Sequence, residues 1–280
     1  MVEIEKFLSS GGYASTTIDL YRRVLSKFCA DVDTRSIDET DLHRWVKGNG
    51  WANATQYSAL CAVRGFLRYM YGVNHPALAV RVKRLESPPQ RVISVNQIGA
   101  LLALHDTGIP KGRRDLAICC LLLDTGLRSA EVCGAEVKYL DMEQRRVSVR
   151  VKGGKFGAGV FSDYTRSVLE RWLADRERLA GPGCKTIFCG IGGNTPGQCM
   201  TTGGLRAEMR RWGKRAGLPA LSPHDFRRTF ATMAIRSGAP TRVVQVAGRW
   251  SNIRMVEHYT RSIEAVDMDG YYPVQRVLDS

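Results

Sequence analysis

Apolar side chains recur at helical spacing along most of this chain and at strand spacing in one short region. In ASTTIDLYRRVLSKFCADV, Ile18, Tyr21, Leu25 and Phe28 follow one another three or four residues apart, the period of one helix face. NATQYSALCAVRGFLRYMYG repeats that period through Tyr57, Leu60, Val63, Phe66 and Met70, with Arg64 and Arg68 on its exposed faces. Between them SIDETDLHRWVKG predicts a further helix, with Ser36 as its cap and Glu39 three residues on, a capping-box pattern. Residues 1–82 thus read as a small helical domain.

NHPALAVRVKRLESPPQRVIS breaks the pattern. Pro76, Pro88 and Pro89 stop helices, and Arg81, Lys83, Arg84 and Arg91 make the stretch basic. Residues 83–93 are expected to link two domains, their charges either solvating an exposed loop or lying along a DNA backbone. From residue 94 to 280 a second domain follows. SVNQIGALLALHD predicts one helix, and RRDLAICCLLLDTG another that is apolar on most faces and so buried. RRVSVRV then alternates: Val147, Val149 and Val151 point one way, Ser148, Arg150 and Lys152 the other. Gly153 and Gly154 predict a turn into a second strand. YTRSVLERWLADRERLA is helical, the glycine-rich run after it is irregular with a short strand at KTIF, and most of the chain from Thr202 is helical again. The expected fold class is mainly α with a small β-sheet, in two domains.

Composition adds a partner to this picture. Among 280 residues, 41 are Lys or Arg and 27 Asp or Glu, a formal charge of +14 that favours a polyanion, most often nucleic acid. The eight cysteines include no C-x-x-C and read as reduced, mostly structural thiols. No signal-peptide pattern opens the chain, and the longest apolar run, residues 116–123, is too short to span a bilayer. The expectation is a cytoplasmic protein without membrane contact.

Four stretches carry candidate chemistry, and each alone has a plainer reading. In SPHDFRRTFAT, Ser222 can cap a helix, Pro223 suits its first turn and Asp225 completes a box. His224 and Arg227 then share a face, as an anion grip or as a solvated helix end. A metal site does not fit there, since HEXXH spacing is missing and an adjacent arginine repels a cation. In DTGLRSAE, Glu131 is three residues from Arg128 and can fix its rotamer, or form an ordinary surface pair. In RVKGGK, Lys152 sits beside a Gly-Gly turn, with Lys155 competing for any role. In AGRWSNIRMVEHYTR, Trp250 and Tyr259 lie nine residues apart, as core aromatics or as site residues.

Together and in this order, the four resemble the tyrosine recombinases, the phage integrase family. The family pattern is an arginine in T-G-x-R-x-x-E, a β-hairpin lysine, H-x-x-R, a His or Trp, and a tyrosine about nine residues later. Here these fall on Arg128, Lys152, His224, Arg227, Trp250 and Tyr259, with Glu131 as the supporting acid. The chain departs in reading A-G-R-W-S where many members have L-G-H-S, which puts Trp250 at the His/Trp position, as in the Cre subgroup. Arg228 stands where many members have a second histidine, and the hairpin lacks the usual K-x-R-x-V-P run.

The resemblance implies a helical core-type DNA-binding domain followed by a catalytic domain. It implies site-specific DNA recombination through a covalent 3′-phosphotyrosine at Tyr259, without metal, cofactor or ATP. Arg128 and Arg227 would bind the phosphate, His224 would assist with it and with the tyrosine proton, and Trp250 would pack around it. Lys152, or Lys155, would protonate the leaving 5′-oxygen. Arg64, Arg68, Arg81, Lys83, Arg84, Arg91, Lys155 and Arg228 are the expected contacts to double-stranded DNA. The resemblance further implies a homotetramer on two DNA sites, with accessory DNA-bending factors as possible partners. The tail from Ile263 to Val277 would dock on its own domain or on a neighbour's. The length leaves no expected room for an additional arm-type domain. A type IB topoisomerase and a non-catalytic DNA-binding protein on the same fold remain alternatives.

Overall fold

The computed structural model describes residues 1–81, 91–151, 154–193 and 195–259, with His258 and Tyr259 as backbone only. Lys83, Arg84, Lys152 and the tail from Ile263 lie outside the described residues, as does the side chain of Tyr259. The chain divides into two compact units, Met1–Pro88 and Pro89–Ser280.

The first unit is helical: α1 (Val2–Ser10), α2 (Ser15–Asp31), α3 (Glu39–Gly48) and α4 (Asn53–Tyr71), then a 3₁₀ turn at Pro76–Ala79. Its core is the set of apolar positions that the periodicity selects, with Leu25, Phe28, Leu60, Val63 and Phe66 all buried. Tyr57 departs from the pattern and is 40% exposed. The start of α3 also differs from expectation. Asp38 is the cap, accepting from the Asp41 N–H at 2.8 Å, while Ser36 donates to Asp33 instead. Aspartate caps as well as serine does, and Asp38 stands next to the first helical residue.

The second unit is built around α6 (Pro110–Thr125), whose residues 116 to 122 are all buried. Before it runs α5 (Val95–Ala103), capped by Ser94 and Gln97 in a reciprocal box. After it come the short α7 (Ser129–Cys133) and three antiparallel strands, β1 (Leu140–Asp141), β2 (Arg146–Arg150) and β3 (Phe156–Val160), in the order β1-β2-β3. Val147 and Val149 face the core as their alternation requires. Then follow α8 (Asp163–Leu179), α9 (Thr202–Arg215), α10 (Pro223–Arg236), α11 (Thr241–Ala247) and α12 (Arg254–Tyr259). The strand expected at KTIF does not form; Thr186 makes one isolated bridge with Glu136. The last expected linker residues are already part of this unit. Ile93 is fully buried, and its N–H donates to Thr229 Oγ1 of α10 at 2.9 Å. The fold is mainly α with a small sheet, and no described helix is long and apolar enough to cross a membrane.

Candidate active site

The site begins where α6 must stop. Gly126 adopts φ +56°, and its N–H still bonds to the Leu122 carbonyl. A side chain there would be strained and would meet Phe230, so glycine is required. The chain turns, Leu127 buries itself, and Arg128 emerges at the start of α7 with 43% of its side chain exposed. Glu131, one turn on and buried, grips Arg128 twice. Its Oε1 accepts from the guanidinium at 2.7 Å and its Oε2 from the Arg128 backbone N–H at 2.9 Å. Burial would raise the Glu131 pKa, but these bonds and the nearby Arg249 outweigh it and hold the carboxyl below its ordinary value.

α10 delivers the second half. Its start is set locally: Ser222 caps it, Pro223 opens it, and the Asp225 carboxylate accepts from the Ser222 N–H and hydroxyl at 2.8 and 2.9 Å. One turn in, Arg227 is 1% exposed. It donates to the carbonyls of Gly126 and Gly248, so one guanidinium ties the end of α6 to the end of α11. Trp250 covers it, with the Arg227 Cζ 4.3 Å from the ring centroid, a cation–π contact. Phe230 stacks on the same indole. His224 stands exposed at the helix start. Partial desolvation, then the charges of Arg228 and Arg227, push its pKa below 6.5.

α12 packs against α10 and α11 and ends at Tyr259. Fully buried Val256 anchors it in a cluster with Ala231, Val244 and Trp250. The second unit thus gathers Arg128, Glu131, His224, Arg227 and Trp250 around the junction of α6, α10 and α11. Among the hairpin lysines only Lys155 is described; it is exposed, and its carbonyl closes the turn by accepting from Val151.

Two expected DNA contacts are engaged otherwise. Arg91 donates to the Pro219 carbonyl and to Asp225 at 2.7 and 2.8 Å, and Arg228, with 16% of its side chain exposed, pairs with Asp225 at 3.2 Å. Both brace the start of α10, because Asp225 is a buried carboxylate that needs compensating charge. In the first unit Arg64, Arg68 and Arg81 do converge. With Tyr57 and Leu60 they line a concavity of about 540 Å³ that no acidic residue lines among the described residues.

One residue of the junction escaped the sequence reading. Arg249, between Gly248 and Trp250, has φ +56° and a side chain only 7% exposed, 3.4 Å from Glu131. Its only sequence signal is an arginine inserted between the glycine and the tryptophan.

Known proteins resemble this chain in sequence and fold. The phage integrase family matches over residues 91–265. The chain is 27% identical over 281 residues to tyrosine recombinase XerD of Pseudomonas aeruginosa, covering 94% of this chain and 93% of that protein. It is 29% identical over 187 residues to tyrosine recombinase XerC of Vibrio atlanticus, covering 66% of this chain and 59% of that one. Among solved structures, the Tn1549 transposon integrase in complex with transposon right-end DNA superposes with a TM-score of 0.78. That match has 18% identity and covers 99% of this chain and 98% of that one. The chain belongs to the phage integrase family, the tyrosine recombinases that cleave and rejoin DNA.

Proposed function

We propose that this protein recombines double-stranded DNA at specific sites, with Tyr259 as nucleophile. The phenol oxygen of Tyr259 attacks a backbone phosphorus, a Tyr–O–P bond forms and the bond from phosphorus to the 5′-oxygen breaks. The leaving 5′-oxygen takes a proton from Lys152, or from Lys155 on the same hairpin. The phosphodiester energy stays in the 3′-phosphotyrosine, and the 5′-hydroxyl of another strand reverses the step to seal a new joint. Charge builds on the two non-bridging oxygens, where Arg128 and Arg227 supply planar donors that stay protonated. His224, neutral near pH 7 because of its lowered pKa, takes the tyrosine proton and then hydrogen-bonds the phosphate.

One observation carries this reading. The two motif arginines, 99 positions apart in sequence, meet at the same turn: Arg227 binds the carbonyl of Gly126, and Arg128 is two residues beyond it. In the first unit Arg64, Arg68 and Arg81 contact DNA phosphates, joined by Lys83 and Arg84. Four copies act on two DNA sites in the cytoplasm, accessory DNA-bending factors assisting.

The test is strand exchange between two copies of the DNA flanking the gene, carried on one plasmid, with EDTA and without ATP. Wild type is expected to give recombinant circles and Tyr259→Phe none. Equal recombination by the variant would remove Tyr259 from its role, and relaxation of supercoils without any recombinant joint would make the protein a topoisomerase.

A further inference from the structure

Arg249 repeats, one residue earlier on each segment, what Arg227 does. Arg227 donates to the carbonyls of Gly126 and Gly248. Arg249 donates to those of Thr125, at 3.0 Å, and Ala247, at 2.6 Å. Two guanidiniums therefore bind consecutive carbonyls of the same two segments. One segment is the end of α6, which leads into Arg128. The other is the end of α11, which leads into Trp250 and α12. Arg249 reaches two further groups: the Ala158 carbonyl of β3 at 3.0 Å, and Glu131 Oε2 at 3.4 Å. That carboxylate oxygen is the one that accepts from the Arg128 backbone N–H.

The neighbouring sequence makes room for this side chain. A Cβ on Gly157 would lie 2.8 Å from Arg249 Cδ, and a Cβ on Gly248 would collide with the Trp250 ring. Arg249 itself holds a left-handed backbone, φ +56°, that costs a non-glycine residue about 1–3 kcal/mol unless its surroundings enforce it. Burial pushes the Arg249 pKa down, and Glu131 opposes that shift. The Nη groups of this buried guanidinium bond to three carbonyls while its Nε lies 3.4 Å from a carboxylate, and lysine cannot reproduce that fork.

We propose that Arg249 is a positioning residue of the strand-transfer site: it staples the segment carrying Trp250 and Tyr259 to the end of α6 and, through Glu131, sets Arg128. The inference rests on the function proposed above for its consequence in catalysis, and on the carbonyl contacts alone for the staple. Without Arg249 only Arg227 ties these two segments, and the link through Glu131 to Arg128 and through Ala158 to β3 is lost. Small misplacements of such groups cost on the order of 100-fold in rate.

Two readouts separate the staple from its consequence. Hydrogen exchange on the free protein tests the staple. In Arg249→Ala and Arg249→Lys, amides of residues 248–259 are expected to exchange at least ten times faster while those of α6 and α8 stay protected. Unchanged exchange in that segment overturns the proposal whether or not the protein recombines DNA. Single-turnover cleavage of nicked duplex at saturating protein tests the consequence. Both variants are expected to lose 30- to 100-fold in cleavage rate while binding DNA within threefold of wild type. The loss should shrink at least tenfold on a methylphosphonate at the scissile position, which carries no charge for the arginines to meet. Equal losses on both substrates, or a wild-type rate, overturn a positioning role. Gly157→Ala displaces the same side chain without removing its charge. It should reproduce the defect and add nothing to Arg249→Ala. Full additivity overturns the proposal. A wild type that forms no adduct on any flanking duplex defeats the proposed function and leaves the exchange result to decide the staple.

Discussion

At the junction the buried Glu131 carboxylate pairs with Arg128, and His224 faces solvent at the start of α10. Its pKa lies below the ordinary 6.5 because of desolvation and the charges of Arg228 and Arg227. In the proposed mechanism the neutral imidazole accepts the tyrosine proton, so activity is expected to be lost as pH falls through the lowered value, not through 6.5. Stability follows the same sign: a depressed histidine contributes above its unfolded pKa and loses that contribution as pH falls through the folded one. The cleavage rate is expected to stay flat from about pH 8 to below 6.5 and then drop, and His224→Asn is expected to lose that acid limb along with most of the rate. A limb centred at or above 6.5 would contradict the environment described for this imidazole.

Among the elements, α6 does most to hold the second unit together, and His105 reports on it. The ring lies between Cys119 of α6, 3.3 Å from its sulfur, and the edge of Trp212 of α9. Burial pushes its pKa down to about 4; Asp115 and Glu208 pull it up while Lys111 and Arg215 push it further down. A fall from 6.5 to about 4 corresponds to roughly 3 kcal/mol, fully present above pH 6.5 and lost as pH falls through 4. Denaturant titrations of wild type and His105→Leu between about pH 7 and 4 should show wild type losing stability more steeply, by about that amount; parallel slopes would exclude His105 as the acid-labile group. Several element-level features with local causes were legible in sequence. The cap of α10 needs only Ser222, Pro223 and Asp225, and β2 only its alternating valines. Arg249 was not legible, because its partners Thr125, Glu131 and Ala158 are around 90 to 124 positions away. Arg91, in the expected linker, and Arg228, in an expected helix, read as cations free to meet DNA for the same reason: nothing local shows that Asp225 is buried and pairs with both.

At the scale of the whole molecule, a charge of +14 sets how the protein meets DNA. Affinity drawn from phosphate contacts falls steeply with salt, through release of counterions. Arg64, Arg68 and Arg81 line one concavity with no acidic residue among the described residues. Replacing any of them by alanine should weaken binding across sequences and lower the slope of log affinity against log salt by about 1. Arg91→Ala should leave that slope unchanged and lower thermal stability instead, since its guanidinium braces α10. Fold class and the ordered motifs were readable from sequence because the motifs keep their spacing. What the motifs could not convey is that Arg227 is buried, with backbone carbonyls as partners.

The central claim is that Tyr259 attacks phosphorus within this assembly of arginines. It is tested most directly by trapping the protein on nicked duplexes from the gene's flanks, digesting the adduct with trypsin and nuclease, and sequencing the nucleotide-bearing peptide by mass spectrometry. The expected peptide spans residues 255–261, with the nucleotide on Tyr259 and no adduct in Tyr259→Phe. A nucleotide on Tyr271, Tyr272 or a serine, or an adduct that survives the substitution, would contradict it.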